Sequence, residues 1–202
     1  MVTAPLVGVL ALQGDVREHL AALTACGARV RPVRRPDDLD GLDGIVLPGG
    51  ESTTIDKLSR AFEVRDPLVA ALRAGLPAYG SCAGMILLAD HVLDRPGEQQ
   101  GFGGLDVVVR RNAFGRQVQS FETDLELSGV PDGSVHAVFI RAPWVEQVGP
   151  DVEVLAEVTP PGLTSPRVVA VRQGALLATA FHPEVTDDLR LHQYLLRLIN
   201  HS

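Results

Sequence analysis

Leu6-Val7-Gly8-Val9-Leu10-Ala11-Leu12 is a continuous apolar run of strand length with no polar alternation. A strand with one wet face alternates polar and apolar residues, so an unbroken run belongs to a parallel sheet covered on both faces by helices. The segments that follow repeat this unit. Asp15 with Glu18 three residues on makes a capping-box-like helix start, and Cys26-Gly27 supplies a glycine stop. Ala28 to Val33 reads as a second strand and Gly44-Ile45-Val46-Leu47 as a third, ending at Pro48-Gly49-Gly50. Ser52, Thr53 and Thr54 can cap a helix running towards Phe62, and Pro67 suits the first turn of another that ends at Gly75. This alternation predicts an α/β fold with a doubly wound, mostly parallel sheet flanked by helices. Its site belongs at the carboxyl ends of the strands, which Gln13, Gly50 and Cys82 all follow.

Beyond Ala89 the pattern changes. Arg95 to Gly104 is rich in Gly, Pro and Gln, and Leu105 to Arg110, Ser120 to Leu127, Val168 to Arg172 and Ala175 to Phe181 read as strands with few helices between them. We expect an antiparallel extension of the same domain, closed by a helix from about Asp187 to Asn200 with Leu191, Leu195 and Leu198 on one stripe. A chain of 202 residues that is 46% hydrophobic can fill one core and is short for two, so residues 1–202 are expected to form a single domain.

Composition excludes several classes of function. The net charge of −7 with dispersed basic residues leaves no footprint for a nucleic acid backbone. The first ten residues lack a basic n-region, and no apolar run approaches the roughly 20 residues that span a bilayer, which gives the expectation of a cytoplasmic protein. Two cysteines make neither a disulfide framework nor a four-ligand zinc site, and the six scattered histidines form no metal motif. Cys26, at a helix end, reads as packing.

Gly80-Ser81-Cys82-Ala83-Gly84 directly follows the apolar run Gly75-Leu76-Pro77-Ala78-Tyr79. A strand that reverses sharply into a helix displays its apex side chain only if the flanking residues are small. Cys82 thus reads either as a displayed nucleophile or as a buried apolar filler. Phe181-His182-Pro183-Glu184 follows the apolar stretch Leu176 to Ala180. A histidine at one strand's end can meet a nucleophile at another's, and an acid two residues on can curl back to orient the imidazole. Taken alone His182 is an ordinary structural histidine; the elbow and Glu184 together favour a Cys-His-Glu set. The Ala83 N–H and the Gly49-Gly50 turn are candidate oxyanion donors. Gly-Glu-Ser-Thr lacks the lysine of a phosphate-binding loop.

With these residues in place, the chain resembles the class I, triad-type glutamine amidotransferases. More narrowly, Leu12 to His19, Pro48 to Thr54, Arg111 to Gln117, Phe139 to Pro143 and Phe181 to Glu184 are similar to segments of the glutaminase subunits of two-component pyridoxal 5'-phosphate synthases, in the same order along almost the whole chain. The resemblance implies a flavodoxin-like architecture and hydrolysis of L-glutamine to L-glutamate and ammonia, with ammonia passed to a separate (β/α)8 synthase subunit for vitamin B6 biosynthesis. It implies Cys82 as nucleophile, His182 as acid and base, and Glu184 as the residue that holds the imidazole. It implies glutamine binding by Gly50, Glu51, Ser52, Arg111, Ile140 and Arg141, oxyanion donors at Gly50 and Ala83, and a partner interface at Gln13 and Gly14. It further implies a complex of twelve glutaminases on a twelve-subunit synthase core. No cofactor or metal is implied for this chain, pyridoxal phosphate being the partner's product. An arginine fork suits the carboxylate of a zwitterionic substrate, although Arg111 or Arg141 alone would read as a solvated charge.

The elbow carries Ser81 where the family has threonine, and the loops Arg95 to Gly104 and Thr159 to Pro166 are longer than usual. Two other readings share parts of this pattern. A cysteine hydrolase or deglycase of the related elbow-bearing type would keep Cys82 without the distant His-Pro-Glu, and a silent binding module would keep the fold without the chemistry.

Overall fold

In the computed structural model, residues 4–95, 97–111, 113 and 120–201 are described. Residues 112 and 114–117 of the Arg111 to Gln117 segment therefore lie outside the described residues. The first half of the chain runs β1 (Leu6–Leu10), α1 (Val16–Ala25), β2 (Arg29–Val33), β3 (Gly44–Leu47), α2 (Ser52–Ala61), α3 (Arg65–Arg73), β4 (Ala78–Ser81) and α4 (Ala83–Leu88). The second half is strand-rich: β5 (Ala89–Leu93), β6 (Leu105–Arg110), β7 (Ser120–Leu125), β8 (Val135–Ile140), β9 (Trp144–Val148), β10 (Glu153–Val158), β11 (Arg167–Gln173) and β12 (Leu176–Thr179), closing on α5 (Arg190–Asn200).

The main sheet has the order β2-β1-β3-β4-β12-β11-β9-β6-β5, with β10 paired to β11. Its first five strands are all parallel. The order 2-1-3-4 followed by the last strand is the flavodoxin-like one, with its switch point between β1 and β3. β1, β3 and β4 are buried along their whole lengths, which is why their sequences do not alternate. Among the described residues β2 pairs only with β1, and it tolerates Pro32 because an edge strand has one side that donates to nothing. The extension from β11 to β6 is antiparallel, as expected, but β5 joins β6 in parallel. β7 and β8 form a separate antiparallel pair.

Three local expectations are corrected. Asp15 stands at the start of α1 but caps nothing, since its backbone (φ −80°, ψ 49°) is not the extended form that turns a side chain onto the first helical N–H groups. Glu51, not Ser52, caps α2, accepting the Thr53 N–H at 3.4 Å and the Thr53 hydroxyl at 2.9 Å. α5 begins at Arg190 because the Asp188 carboxylate accepts the Arg190 N–H at 3.0 Å and so starts the helix there.

The glycines of the elbow are needed for space. A Cβ on Gly84 would sit 2.1 Å from the Leu47 carbonyl oxygen of β3, and one on Gly80 would sit 2.5 Å from the Gly84 carbonyl carbon. α4 therefore lies directly on the sheet backbone. Gly84→Ala is expected to cost about 1–3 kcal/mol, the range for overpacking a filled site, measured by urea denaturation; wild-type stability in this variant would mean that α4 can ride off β3 freely.

Candidate active site

Four adjacent parallel strands, β1, β3, β4 and β12, end on the same side, and each delivers part of the site from the turn after it. After β4, Cys82 takes φ 47° and ψ −98°, a conformation that favours glycine, and α4 starts at the next residue. Its amide is held by the Thr179 carbonyl at 2.8 Å. A non-glycine residue kept in such a region costs of order 1–3 kcal/mol and persists only when its surroundings over-determine it. Here the strand pairing before it and the tight α4 packing after it do so.

After β12, the His182 N–H donates to the Val138 carbonyl at 3.0 Å, tying this turn to β8. A short 3-10 turn, Pro183–Val185, then brings Glu184 back under the ring. His182 Nδ1 lies 2.8 Å from Glu184 Oε1 and 3.3 Å from Asp15 Oδ2. With Nδ1 facing two carboxylates, the other ring nitrogen is left for the Cys82 sulfur, whose proximity contributes to the shift of the ring's pKa. Burial works to lower the His182 pKa, but hydrogen bonds to Asp15, Cys82 and Glu184 outweigh it and push it up to about 12. Burial likewise works to raise the Glu184 pKa, and the opposing field and hydrogen bonds of His19 and His182 hold it well below the usual carboxylate range. Cys82 and the His182–Glu184 pair, a hundred residues apart in sequence, come together at one end of the sheet.

The expected binding residues converge too. A small cleft of about 90 Å³ is lined by Cys82 together with Gly50, Glu51, Ser52, Arg111, Ile140 and Arg141. Ile86 of α4 completes the lining, a residue whose place on an otherwise buried apolar helix carried no sequence signal. Arg111 Nη2 is 3.0 Å from Glu51 Oε1, so the cleft presents a cation and its counter-ion side by side. Arg141, at the end of β8, has φ 45°, a second strained residue at the same place. A larger hollow of about 520 Å³ adjoins the cleft and shares Glu51 and Arg111, but does not reach the sulfur.

Of the two expected oxyanion donors, Ala83 is the first residue of α4, where helix N–H groups have no intrahelical acceptor. Gly50 has φ 146°, and a Cβ there would meet Gln13 Oε1 at 2.6 Å. Gln13 Oε1 also accepts the Glu51 N–H at 2.7 Å, while Gly14 packs so closely that a Cβ would overlap the Gly49 carbonyl oxygen. Gln13 and Gly14 thus clamp the Pro48 to Glu51 turn within the chain. Asp15, read from the sequence as a helix cap, is instead turned onto His182. Only the fold brings the His182 imidazole within 3.3 Å of this carboxylate. Asp15, His182 and Glu184 could also gather round a cation, their ligand atoms lying within 4.8 Å of one another; the 2.8 Å contact of Nδ1 with Glu184 reads as a hydrogen bond.

The model of the SNO glutamine amidotransferase family matches residues 9–201. The chain belongs to that family. It is 60% identical over 197 residues to the pyridoxal 5'-phosphate synthase subunit PdxT of Salinispora arenicola, covering 98% of each chain. It is 63% identical over 195 residues to the PdxT subunit of Nocardia farcinica, covering 96% of this chain and 86% of that one. A crystal structure titled as a glutamine amidotransferase superposes with a TM-score of 0.87 at 49% identity, over 96% of this chain and 98% of that one. The glutamine amidotransferase family and fold are those that the sequence motifs implied.

Two measurements bear on the geometry. Because the folded Glu184 carboxyl lies below its ordinary value of 4.5, its ionic contribution to stability is complete above about pH 4.5 and is lost as pH falls towards the folded value. The stability gap between wild type and Glu184→Gln should therefore narrow on acidification; a gap that widens would reverse the sign of the shift. For Cys82, glycine should relieve the strain at φ 47° by more than the roughly 1 kcal/mol it loses in chain entropy. Cys82→Gly should then unfold at higher urea than Cys82→Ala, and the opposite order would show a relaxed turn.

Proposed function

We propose that residues 1–202 act as a single glutaminase domain, hydrolysing L-glutamine to L-glutamate and ammonia as the ammonia-producing half of a cytoplasmic pyridoxal 5'-phosphate synthase. The observation that carries this reading is the shared cleft: the Cys82 sulfur opens into the same small space as Glu51, Arg111 and Arg141. Such a set offers a cationic fork to the substrate carboxylate and an acidic acceptor to its ammonium.

Cys82 attacks the side-chain amide carbon of glutamine, and the carbonyl electrons move to an oxyanion that faces Gly50 and Ala83. A donor preorganised at that position contributes about 2.7–4 kcal/mol of barrier lowering. His182, cationic and adjacent to the sulfur, gives a proton to the departing nitrogen, which leaves as ammonia and a thioester remains. A water molecule, deprotonated by the now neutral imidazole, attacks the thioester; the tetrahedral adduct collapses, glutamate leaves, and the sulfur and imidazole return to their starting state. Glu184, and on the wetter side Asp15, hold Nδ1 as a donor so that Nε2 always faces the sulfur. Free ammonia is protonated and lost in water, which favours hydrolysis coupled to a docked partner. The resemblance supports a (β/α)8 synthase subunit, with twelve copies of each chain, docking near Gln13 and Gly14. Those two residues clamp the oxyanion turn, so a partner touching them can set its geometry.

Glutamate release should be slow with this chain alone, rise when the synthase subunit is added, and fall by about 10⁴–10⁶ in Cys82→Ala. Full activity in isolation would contradict partner activation, and turnover in a folded Cys82→Ala protein would remove the nucleophile.

A further inference from the structure

Behind Glu184 lies a second polar layer that the proposed reaction does not use. His19 of α1 and His192 of α5 are both fully buried. His19 Nδ1 is 2.9 Å from His192 Nε2, and His19 Nε2 is 3.0 Å from Ser81 Oγ and 3.5 Å from Glu184 Oε1. Ser81 in turn accepts the Gly49 N–H at 3.0 Å and lies 3.3 Å from Glu184 Oε1. The Tyr79 ring stands edge-on to both imidazoles.

Counting donors and acceptors sets the direction of this chain. A serine hydroxyl has one proton and two lone pairs. If Gly49 N–H and His19 Nε2–H fill the lone pairs, the proton goes to Glu184 and every valence of Ser81 is used. His19 is then the Nε2–H tautomer, its Nδ1 accepts from His192 Nε2–H, and His192 Nδ1 carries only a lone pair, consistent with the absence of any partner for that atom among the described residues. The reverse tautomer fails twice. It turns a lone pair of His19 towards an ionised carboxylate and leaves an N–H of His192 buried with no acceptor. Burial above all pushes the His192 pKa down to about 3, so that it serves as a neutral donor; Glu184 and Asp188 act against this and are outweighed.

We propose that His19, its tautomer set by His192, is a positioning residue for glutamine hydrolysis: through Nε2–H and the Ser81 hydroxyl it holds the Glu184 carboxylate ionised and oriented beneath His182. The inference rests on the triad reading above and adds two histidines, from opposite ends of the chain, that the motif comparison did not single out as functional. It also accounts for the residue before the elbow cysteine. Ser81 supplies the one group this contact needs, a hydroxyl.

The test uses the full chain with the synthase subunit and glutamine. Wild type must release glutamate and Cys82→Ala must not; failure of that pair sinks the triad reading itself. Given that pair, His19→Leu should lower kcat roughly tenfold to a hundredfold, the range for loss of an outer hydrogen-bond partner, with KM for glutamine little changed. Loss of the donor makes ionised Glu184 less favourable, so the acidic limb of the kcat/KM profile should move to higher pH. His19→Gln, whose amide N–H reaches the Nε2 position, should recover both kcat and the limb, whereas His19→Asn, which reaches only Nδ1, should not. A merely structural role would lower thermal stability in all three without moving the limb. A folded His19→Leu with wild-type kcat and limb, or Gln no better than Asn, overturns the proposal. Imidazole nitrogen NMR on the unsubstituted protein needs no variant to fold: protonated Nε2 with bare Nδ1 at His19 is required, and the opposite tautomer overturns the proposal as well.

Discussion

Everything at the candidate site depends on two backbones meeting without side chains between them. Gly84 lies against the Leu47 carbonyl and Gly80 against Gly84, so β4 can turn into α4 within a single residue. That residue, Cys82, has no freedom to relax, because both segments flanking it are locked into the core. The same close contact brings the end of β3, with its Pro48 to Glu51 turn, beside the sulfur. Packing and chemistry therefore share one cause: the glycines that let helix and sheet touch also aim the thiol at the neighbouring strand ends.

Electrostatics adds a second requirement. Glu184 has a fully buried side chain, and removing one partner from a buried ion pair typically costs about 3–5 kcal/mol, since the remaining charge stays desolvated. The protein answers with donors rather than with solvent, all gathered on Oε1: His182, Ser81 and His19. Asp15, more than a third exposed, contributes from the wetter side, where its charge is partly screened. The imidazole is thus held by one dry carboxylate and one wet one.

Much of the fold was readable because parallel strands buried on both faces leave apolar runs: β1 and β3 are such runs throughout, and β4 and β12 begin in them. β5, β8, β9 and β10 were not readable. Ala89–Leu93, Val135–Ile140 and Glu153–Val158 carry mixed polarity, since strands of the extension are covered unevenly. At the site, Cys82, His182 and Glu184 were legible as an elbow and a strand-end histidine followed by an acid, whereas the six cleft residues were expected only through the family resemblance. Asp15, His19 and Ile86 were not. A carboxylate at a helix start looks like a cap, a lone histidine on a helix looks like packing, and an isoleucine in an apolar helix looks like core.

Sequence alone determined the local grammar: apolar runs that must be sheathed by helices, small residues that permit an elbow, a histidine with an acid two positions on. Those follow from sterics and side-chain periodicity over a few residues. Tertiary structure decided which polar atoms meet, that Asp15 serves an imidazole rather than its own helix, and that histidines 173 positions apart join behind Glu184. Such contacts are set by the order of strands in the sheet and by the cost of leaving a buried polar atom unpaired, and neither is written in any short stretch of the chain.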